Sequence, residues 1–211
     1  MLISEIFNSI DGEGIRAGYL VTFIRTFGCN LRCSYCDSMY ALEGSNYQEL
    51  TVDQVMKAVR SYPSKRITFT GGEPLLQKDA FDLVSTLVEE GYEVNIETNG
   101  SVDVSPFLLD HVIITMDWKC PSSGMMDRMF LDNMMKLRST DVIKFVVGSE
   151  EDLNNMKDMY ITTDAIPFVS PVFGKIEPKE IVYYLQEHNL QEVRFQLQLH
   201  KFVWPADMRG V

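Results

Sequence analysis

Apolar residues in this chain fall into short runs that alternate with amphipathic stretches. Residues 19–27 (YLVTFIRTF) are β-branched and aromatic, and predict a buried strand. Over 53–62 the apolar residues Val55, Met56 and Val59 recur at helical spacing, with Thr51 placed as an N-cap. A strand over 66–70 then runs into Gly71-Gly72-Glu73-Pro74. A helix over about 78–90 follows, with Phe81, Val84, Leu87 and Val88 on one face. Residues 93–100 read as a short strand ending in polar residues and glycine. The alternation continues with strands over 111–119, 141–147, 165–169 and 193–199. Between them lie a Met-rich helix over 127–137 and helices over 150–159 and 178–187.

Strands and helices that alternate at this period imply parallel βαβ units. The strands are too few for a complete eight-fold barrel. The expected fold is therefore α/β: a partial, incomplete TIM-like barrel of about six parallel strands with flanking helices. A flat doubly wound sheet is the alternative, although no G-x-G-x-x-G fingerprint is present. No Pro/Gly/Ser-rich linker divides the chain, so a single domain over 1–211 is expected. Polar and glycine residues gather where strands end, at Cys29, 70–73, 97–99, 117–119 and 170–174. In parallel α/β folds that edge carries the site.

Composition narrows the function classes. The chain is 45% hydrophobic and 23% charged, which suits an ordinary soluble core. A net charge of −11 without a Lys/Arg cluster argues against nucleic acid as a partner. No apolar run of about 18 residues predicts a membrane span, and no basic-then-apolar start predicts a secretory signal. The expected location is cytoplasmic. There the four cysteines are metal ligands or free thiols rather than disulfides.

Three of those cysteines crowd one stretch, Cys29-Asn30-Leu31-Arg32-Cys33-Ser34-Tyr35-Cys36. Three thiolates on a short loop suit three corners of an iron–sulfur cube, leaving the fourth iron for a non-protein ligand. A structural zinc site needs four closed ligands. Cys120, His111, His188 and His200 are the available completions, and their spacing resembles no zinc ribbon or finger. Arg25 interrupts a strand just before this loop, so it is either paired with a core carboxylate or aimed at an anion. Gly71 and Gly72 would let a ligand lie against bare backbone. Glu73 offers an acceptor for an ammonium group, Tyr35 a flat face for a base, and Thr98 and Asn99 short polar groups for hydroxyls.

Cys-x3-Cys-x2-Cys with Tyr35 before the last cysteine resembles the radical S-adenosylmethionine superfamily, and Thr70-Gly71-Gly72-Glu73-Pro74 resembles its Gly-Gly-Glu-Pro segment. The likeness implies a 4Fe–4S cluster on Cys29, Cys33 and Cys36. It also implies an S-adenosylmethionine chelated at the open iron and cleaved to a 5′-deoxyadenosyl radical. Further stretches resemble the 7-carboxy-7-deazaguanine synthase family. They are Glu5-Ile6-Phe7 with Gly12-Glu13-Gly14, Phe23-Ile24-Arg25, Ile96-Glu97-Thr98-Asn99-Gly100 and Gln198-Leu199-His200-Lys201. That resemblance implies rearrangement of 6-carboxy-5,6,7,8-tetrahydropterin to 7-carboxy-7-deazaguanine with loss of ammonia, in the making of queuosine-type 7-deazapurines. It further implies Mg²⁺, a homodimer, and a reductant protein such as flavodoxin or ferredoxin.

Carried over by position, the resemblance implies substrate contacts at Ile10, Asp11, Gly12, Glu13, Arg25, Thr70, His200 and the terminal Val211. It implies cofactor contacts at Tyr35, Cys36, Asp37, Gly72, Glu73, Thr98, Asn99, Asp117, Trp118, Lys119, Ser170, Pro171, Val172 and Phe173. Ser38 is the implied Mg²⁺ ligand, where the family commonly has threonine. Asp11 stands where the family commonly has glutamine, and its anionic carboxylate cannot donate as an amide does. A glycyl-radical activase shares the cysteine motif, and a non-catalytic iron–sulfur or zinc module is a third reading. The first fits the Gly-Glu-Gly and Gln-x-His-Lys stretches poorly, and the second leaves Gly-Gly-Glu-Pro unexplained.

Overall fold

The computed structural model of the protein describes residues 1–205 and 208–211. Its strands are β1 (Leu2–Ile10), β2 (Leu20–Thr26), β3 (Gln48–Glu49), β4 (Arg66–Gly71), β5 (Glu93–Thr98), β6 (Val112–Trp118), β7 (Val142–Val147), β8 (Ile166–Pro171) and β9 (Arg194–Phe195). The helices are α1 (Val52–Val59), α2 (Ala80–Glu89), α3 (Asn133–Lys136), α4 (Glu150–Met159), α5 (Pro178–Glu187) and α6 (His200–Val203).

The sheet order is β3-β1-β2-β4-β5-β6-β7-β8-β9. From β2 onward every pairing is parallel, while β1 and β3 add an antiparallel edge. Parallel crossovers are right-handed, so an order that never reverses sends every connection over the same face. The result is a curled α/β sheet without a switch point, and its edge strands β3 and β9 do not pair. This is the expected partial barrel, with an antiparallel edge that the apolar pattern of 2–10 did not announce.

Local chemistry explains the element ends. Thr51 accepts from Gln54 N while Gln54 answers to Thr51 N, a capping box that starts α1. Ser149 caps α4, and Pro178 occupies the first turn of α5, where its missing N–H costs nothing. In α2 the buried face is Ala80, Leu83, Val84 and Leu87, and Phe81 turns outward.

Two expected elements are replaced. The Met-rich helix over 127–137 becomes a single 3₁₀ turn and the short α3. Buried Asn133 explains the break: it donates to the Gly100 and Val102 carbonyls and accepts from Val104 N. The final strand is only β9: Gln196 N still donates to the Val169 carbonyl of β8, while the side chains of Gln196 and Gln198 turn to the first loop.

The core lies on the outward face, under the helices. Ile24, Ile67, Phe69, Val94, Ile96, Ile114, Met116, Ile143, Phe145, Val147 and Val169 join Val55, Leu83, Leu87, Met156 and Ile181 there. The alternate strand residues face inward and are mostly polar. No helix among the described residues is long and apolar enough to cross a membrane.

Candidate active site

Three strand-end stretches meet at the rim of the curled sheet. Glu73 is fully buried and accepts from Leu75 N (3.0 Å), Thr98 Oγ1 (2.8 Å) and Asn99 N (2.6 Å). Burial pushes its carboxyl up to about 7 against the pull of those donors. Asn99 then reaches forward: its amide donates to Cys29 Sγ (3.4 Å) and Asn30 Oδ1 (3.1 Å). The Gly-Gly-Glu-Pro turn, the end of β5 and the cysteine loop are thus one hydrogen-bonded unit. Gly72 closes it from below, since a Cβ there would stand 2.2 Å from the Gly28 carbonyl oxygen. The glycines make room for the chain's own backbone as well as for any ligand.

Below the rim, the inward residues form a chamber of paired charges. The first loop folds into it. Asp11 is buried and bonded to Arg16 (3.2 Å) and to Thr68 Oγ1 (2.9 Å). Arg16 also donates to the Ile67 carbonyl (2.8 Å) and the Glu93 carbonyl (3.3 Å), plugging the floor between β4 and β5. Burial raises the Asp11 carboxyl and lowers the Arg16 guanidinium, each opposed by its partner. Glu13 accepts from Lys144 and from Gln198 (2.6 Å). Lys144 also meets Asp117 at 3.0 Å, and Asp117 meets Lys119 at 3.0 Å. Burial alone would raise Asp117, but the two ammonium groups hold it down near 2. Burial would lower both lysines, and their carboxylate partners raise them instead. Glu97 stands half-buried beside them, and burial lifts it to about 7 while Lys144 pulls the other way.

Of the two readings of Arg25, the structure shows the carboxylate pairing. Its Nε pairs with Glu5 at 2.9 Å, and Tyr40 donates to the same oxygen at 2.6 Å. Among the described residues its Nη atoms make no further hydrogen bond, so a planar fork is left for an anion. The C-terminal segment laces the opposite side. Gln196 bonds both the N–H and the carbonyl of Gly14, and Leu199 N donates to the Gly12 carbonyl. A Cβ on Gly12 would stand 2.4 Å from His200 Nδ1, so the imidazole packs against bare backbone. Burial lowers the His200 pKa.

The remaining sequence candidates divide. Ile10 ends β1 next to Asp11, and buried Thr70 shares the chamber face of β4 with Thr68. Tyr35 is half-buried with its hydroxyl 3.4 Å from the Val146 carbonyl. Ser38 Oγ donates to Asp37 Oδ1 (3.1 Å), and Asp37 pairs with Lys201 at 3.1 Å. Ser170 is buried, and its hydroxyl has no partner among the described residues. Pro171 and Phe173 line a cavity of about 290 Å³ with Gln198, Lys201 and Phe202, and Val172 is buried beside it. Arg209 stacks 4.0 Å over the Tyr40 ring, so the tail ending in half-buried Val211 returns towards Arg25.

Four expected contact residues are turned away from open space. Glu73 and Thr98 spend their bonds on each other and on the rim. Asp11 is enclosed by Arg16 and Thr68. Trp118 points into the outward core, where its Nε1 donates to Asn155 at 2.8 Å. Conversely, Arg16, Lys144 and Gln196 belong to the chamber and were not picked out from the sequence. Lys144 had a signal: a lone cation inside the apolar run VIKFVV, as Arg25 is in LVTFIRT.

The thiols fit a cluster better than a single ion. Cys29, Cys33 and Cys36 are half-buried, and Cys29 Sγ receives N–H bonds from Leu31 and Asn99 at 3.4 Å each. Burial raises the Cys33 and Cys36 thiols above their ordinary pKa. Among the described residues, no three His, Cys, Asp or Glu side chains converge on one metal position. Thiolates that each bind a different iron need no such convergence. Cys120 is buried in the core and stays outside the set.

Comparison with known proteins gives a consistent picture. Residues 23–113 match the family described as the radical SAM superfamily. The chain is 40% identical over 99% of its length to the 7-carboxy-7-deazaguanine synthase of Clostridium acetobutylicum, covering 98% of that relative. It is 42% identical over 96% of its length to the synthase of Methanospirillum hungatei, covering 85% of it. The Thermoplasma acidophilum synthase is 40% identical, with both chains fully covered. Among solved structures, QueE from Escherichia coli superposes with a TM-score of 0.78 at 20% identity, over 94% of each chain. Streptococcus suis SuiB bound to S-adenosylmethionine matches with a TM-score of 0.59 at 15% identity, over 81% of this chain and 48% of that one. These two likenesses concern the fold.

Proposed function

Because this chain belongs to the 7-carboxy-7-deazaguanine synthase family, we propose that the rim holds a cluster and cofactor while the chamber holds a carboxylated pterin. The enzyme is a radical S-adenosylmethionine lyase that converts 6-carboxy-5,6,7,8-tetrahydropterin to 7-carboxy-7-deazaguanine, with ring contraction and loss of ammonia. When bound, the 4Fe–4S cluster and S-adenosylmethionine would supply the radical chemistry that acts at C6 of the substrate. The protein binds, orients and shields.

Cys29, Cys33 and Cys36 would hold the cluster through their thiolates. Gly72 and Asp117 with Lys119 face the methionine and ribose end, and Tyr35 with Ser170, Pro171, Val172 and Phe173 encloses the base. Arg25 meets the substrate carboxylate with its two Nη groups. Glu13, Thr70, Gly12 and His200 line the pterin ring. Asp11, Glu73, Thr98 and Trp118 support these groups from behind. Ser38 supplies an oxygen to Mg²⁺ beside Asp37. The enzyme works as a homodimer in the cytoplasm and takes electrons from a flavodoxin or ferredoxin.

One observation carries this reading: Asn99 is bonded at once to Glu73 and to Cys29, directly above a chamber that offers the free fork of Arg25. The test is anaerobic reconstitution to about four irons per chain, then incubation with S-adenosylmethionine, a reductant and the carboxytetrahydropterin. Mass detection of 7-carboxy-7-deazaguanine is expected. Cofactor cleavage without that product would sink the substrate assignment.

A further inference from the structure

One cation stands where the rim side and the loop side of the chamber meet. Lys144 lies mid-strand on β7, opposite Asp117 of β6 and Phe168 of β8 in register. Its side chain is 8% exposed. Its neighbours Ile143 and Phe145 point the other way into the core. The ammonium bonds two carboxylates from different parts of the chain, Glu13 on the first loop and Asp117 at the end of β6. Each carboxylate leads onward. Asp117 pairs with Lys119 just past the end of β6, on the strand-end edge that carries the cysteine loop. Glu13 accepts from Gln198, two residues before His200.

A buried ammonium shared by two carboxylates makes their positions interdependent. Withdrawing either one leaves a charge partly unpaired in a poorly solvated place, which is strongly unfavourable. Anything that fixes Asp117 therefore also fixes Lys144, and through it Glu13. Glu97 also faces Lys144 but makes no hydrogen bond to it, so it contributes field rather than linkage. We propose that Lys144 is a positioning residue that couples the two subsites, so that filling the S-adenosylmethionine subsite presets Glu13 for the substrate. The inference rests on the functional reading above. Thermodynamic linkage then requires the substrate to tighten cofactor binding by the same factor.

The test uses the reconstituted holoenzyme without reductant, so that both ligands bind and neither reacts. Anaerobic calorimetry measures the S-adenosylmethionine Kd with and without the carboxytetrahydropterin. In the wild type the substrate tightens the cofactor by about fivefold or more. In Lys144→Met that ratio falls below about twofold, and Glu13→Gln, which cuts the other side of the link, falls with it. The double variant loses no more than either single one, because both break the same link. A residue that merely balanced charge would change both affinities and leave the ratio intact. Should Lys144→Met fail to load its cluster, Glu13→Gln decides by itself. A wild-type ratio near one, or an undiminished ratio in either variant, overturns the proposal. Product formation on adding reductant to the same wild-type sample separates the two claims. No product overturns the functional reading and the coupling with it, whereas product with an undiminished ratio overturns the role of Lys144 alone.

Discussion

Neighbouring residues on the central strands live in opposite worlds. On β7, Ile143, Phe145 and Val147 are fully buried beneath the helices, while Lys144 between them faces two carboxylates. On β5, Val94 and Ile96 face outward, and Asn95 and Glu97 face the chamber. The outward face stabilises the fold through area: burying one such apolar side chain contributes about 1.5–3 kcal/mol. The inward face works against stability, because burying charge is unfavourable and pairing only offsets it. Stability and chemistry are thus separated by a single step along a strand.

The separation can be broken most severely from outside. Phe145→Ala empties a fully buried site in the core, and urea unfolding should show a loss of about 3–5 kcal/mol. Cluster content and cofactor affinity should persist in the folded fraction. If this variant instead lost its cluster while keeping its stability, the two faces would not be separable.

The inward counterpart is Arg25→Ala. It should weaken substrate binding by about 10- to 100-fold, the size of a lost charged hydrogen-bond pair, with iron content unchanged. Loss of iron would mean that the Glu5–Arg25–Tyr40 group is structural.

Glu73→Gln probes the boundary between the faces. All three contacts of Glu73 are donors, so one must meet the amide NH₂ of glutamine, at about 1–3 kcal/mol. The variant also sharpens a pH argument. The Glu73 carboxyl is lifted from an ordinary 4.5 to about 7, so the folded chain keeps a proton that the unfolded chain has released. Stability should therefore fall as pH rises between those values, and Glu73→Gln should flatten that slope. Glu97, raised likewise, should leave a remainder. A slope that the substitution leaves unchanged would refute the assignment.

The smallest effect belongs to Trp118→Phe. Losing the bond to Asn155 should lower stability by about 1 kcal/mol and leave the S-adenosylmethionine Kd unmoved. A weakened cofactor would return Trp118 to the contact set.

Much of the outward face could be read in advance. The β-branched runs, the helical spacing of Val55, Met56 and Val59, and the Thr51 cap are local properties, and local propensity agreed with the fold there. Where it failed, long-range bonds had won. Asn133 broke the Met-rich helix to satisfy the 100–104 loop, and the last strand stops where the Gln196 and Gln198 side chains bond Gly14 and Glu13 of the first loop. Strand β1 went unread because its partner β2 lies across a turn that also had to be folded.

The sequence by itself determined the reaction class. Three thiols at fixed spacing, a Gly-Gly-Glu-Pro turn and a family likeness need no coordinates, because covalent spacing sets which ligands a short loop can offer. Only the tertiary structure decided which polar groups face the chamber and which lie behind it. Glu73, Thr98, Asp11 and Trp118 read as candidate contacts from the letters, and the fold encloses them among the chain's own groups, while Lys144 was a letter without a role. The physical reason is that a buried charge is defined by its partners, and those of Lys144 are 131 residues away on the first loop and on the neighbouring strand.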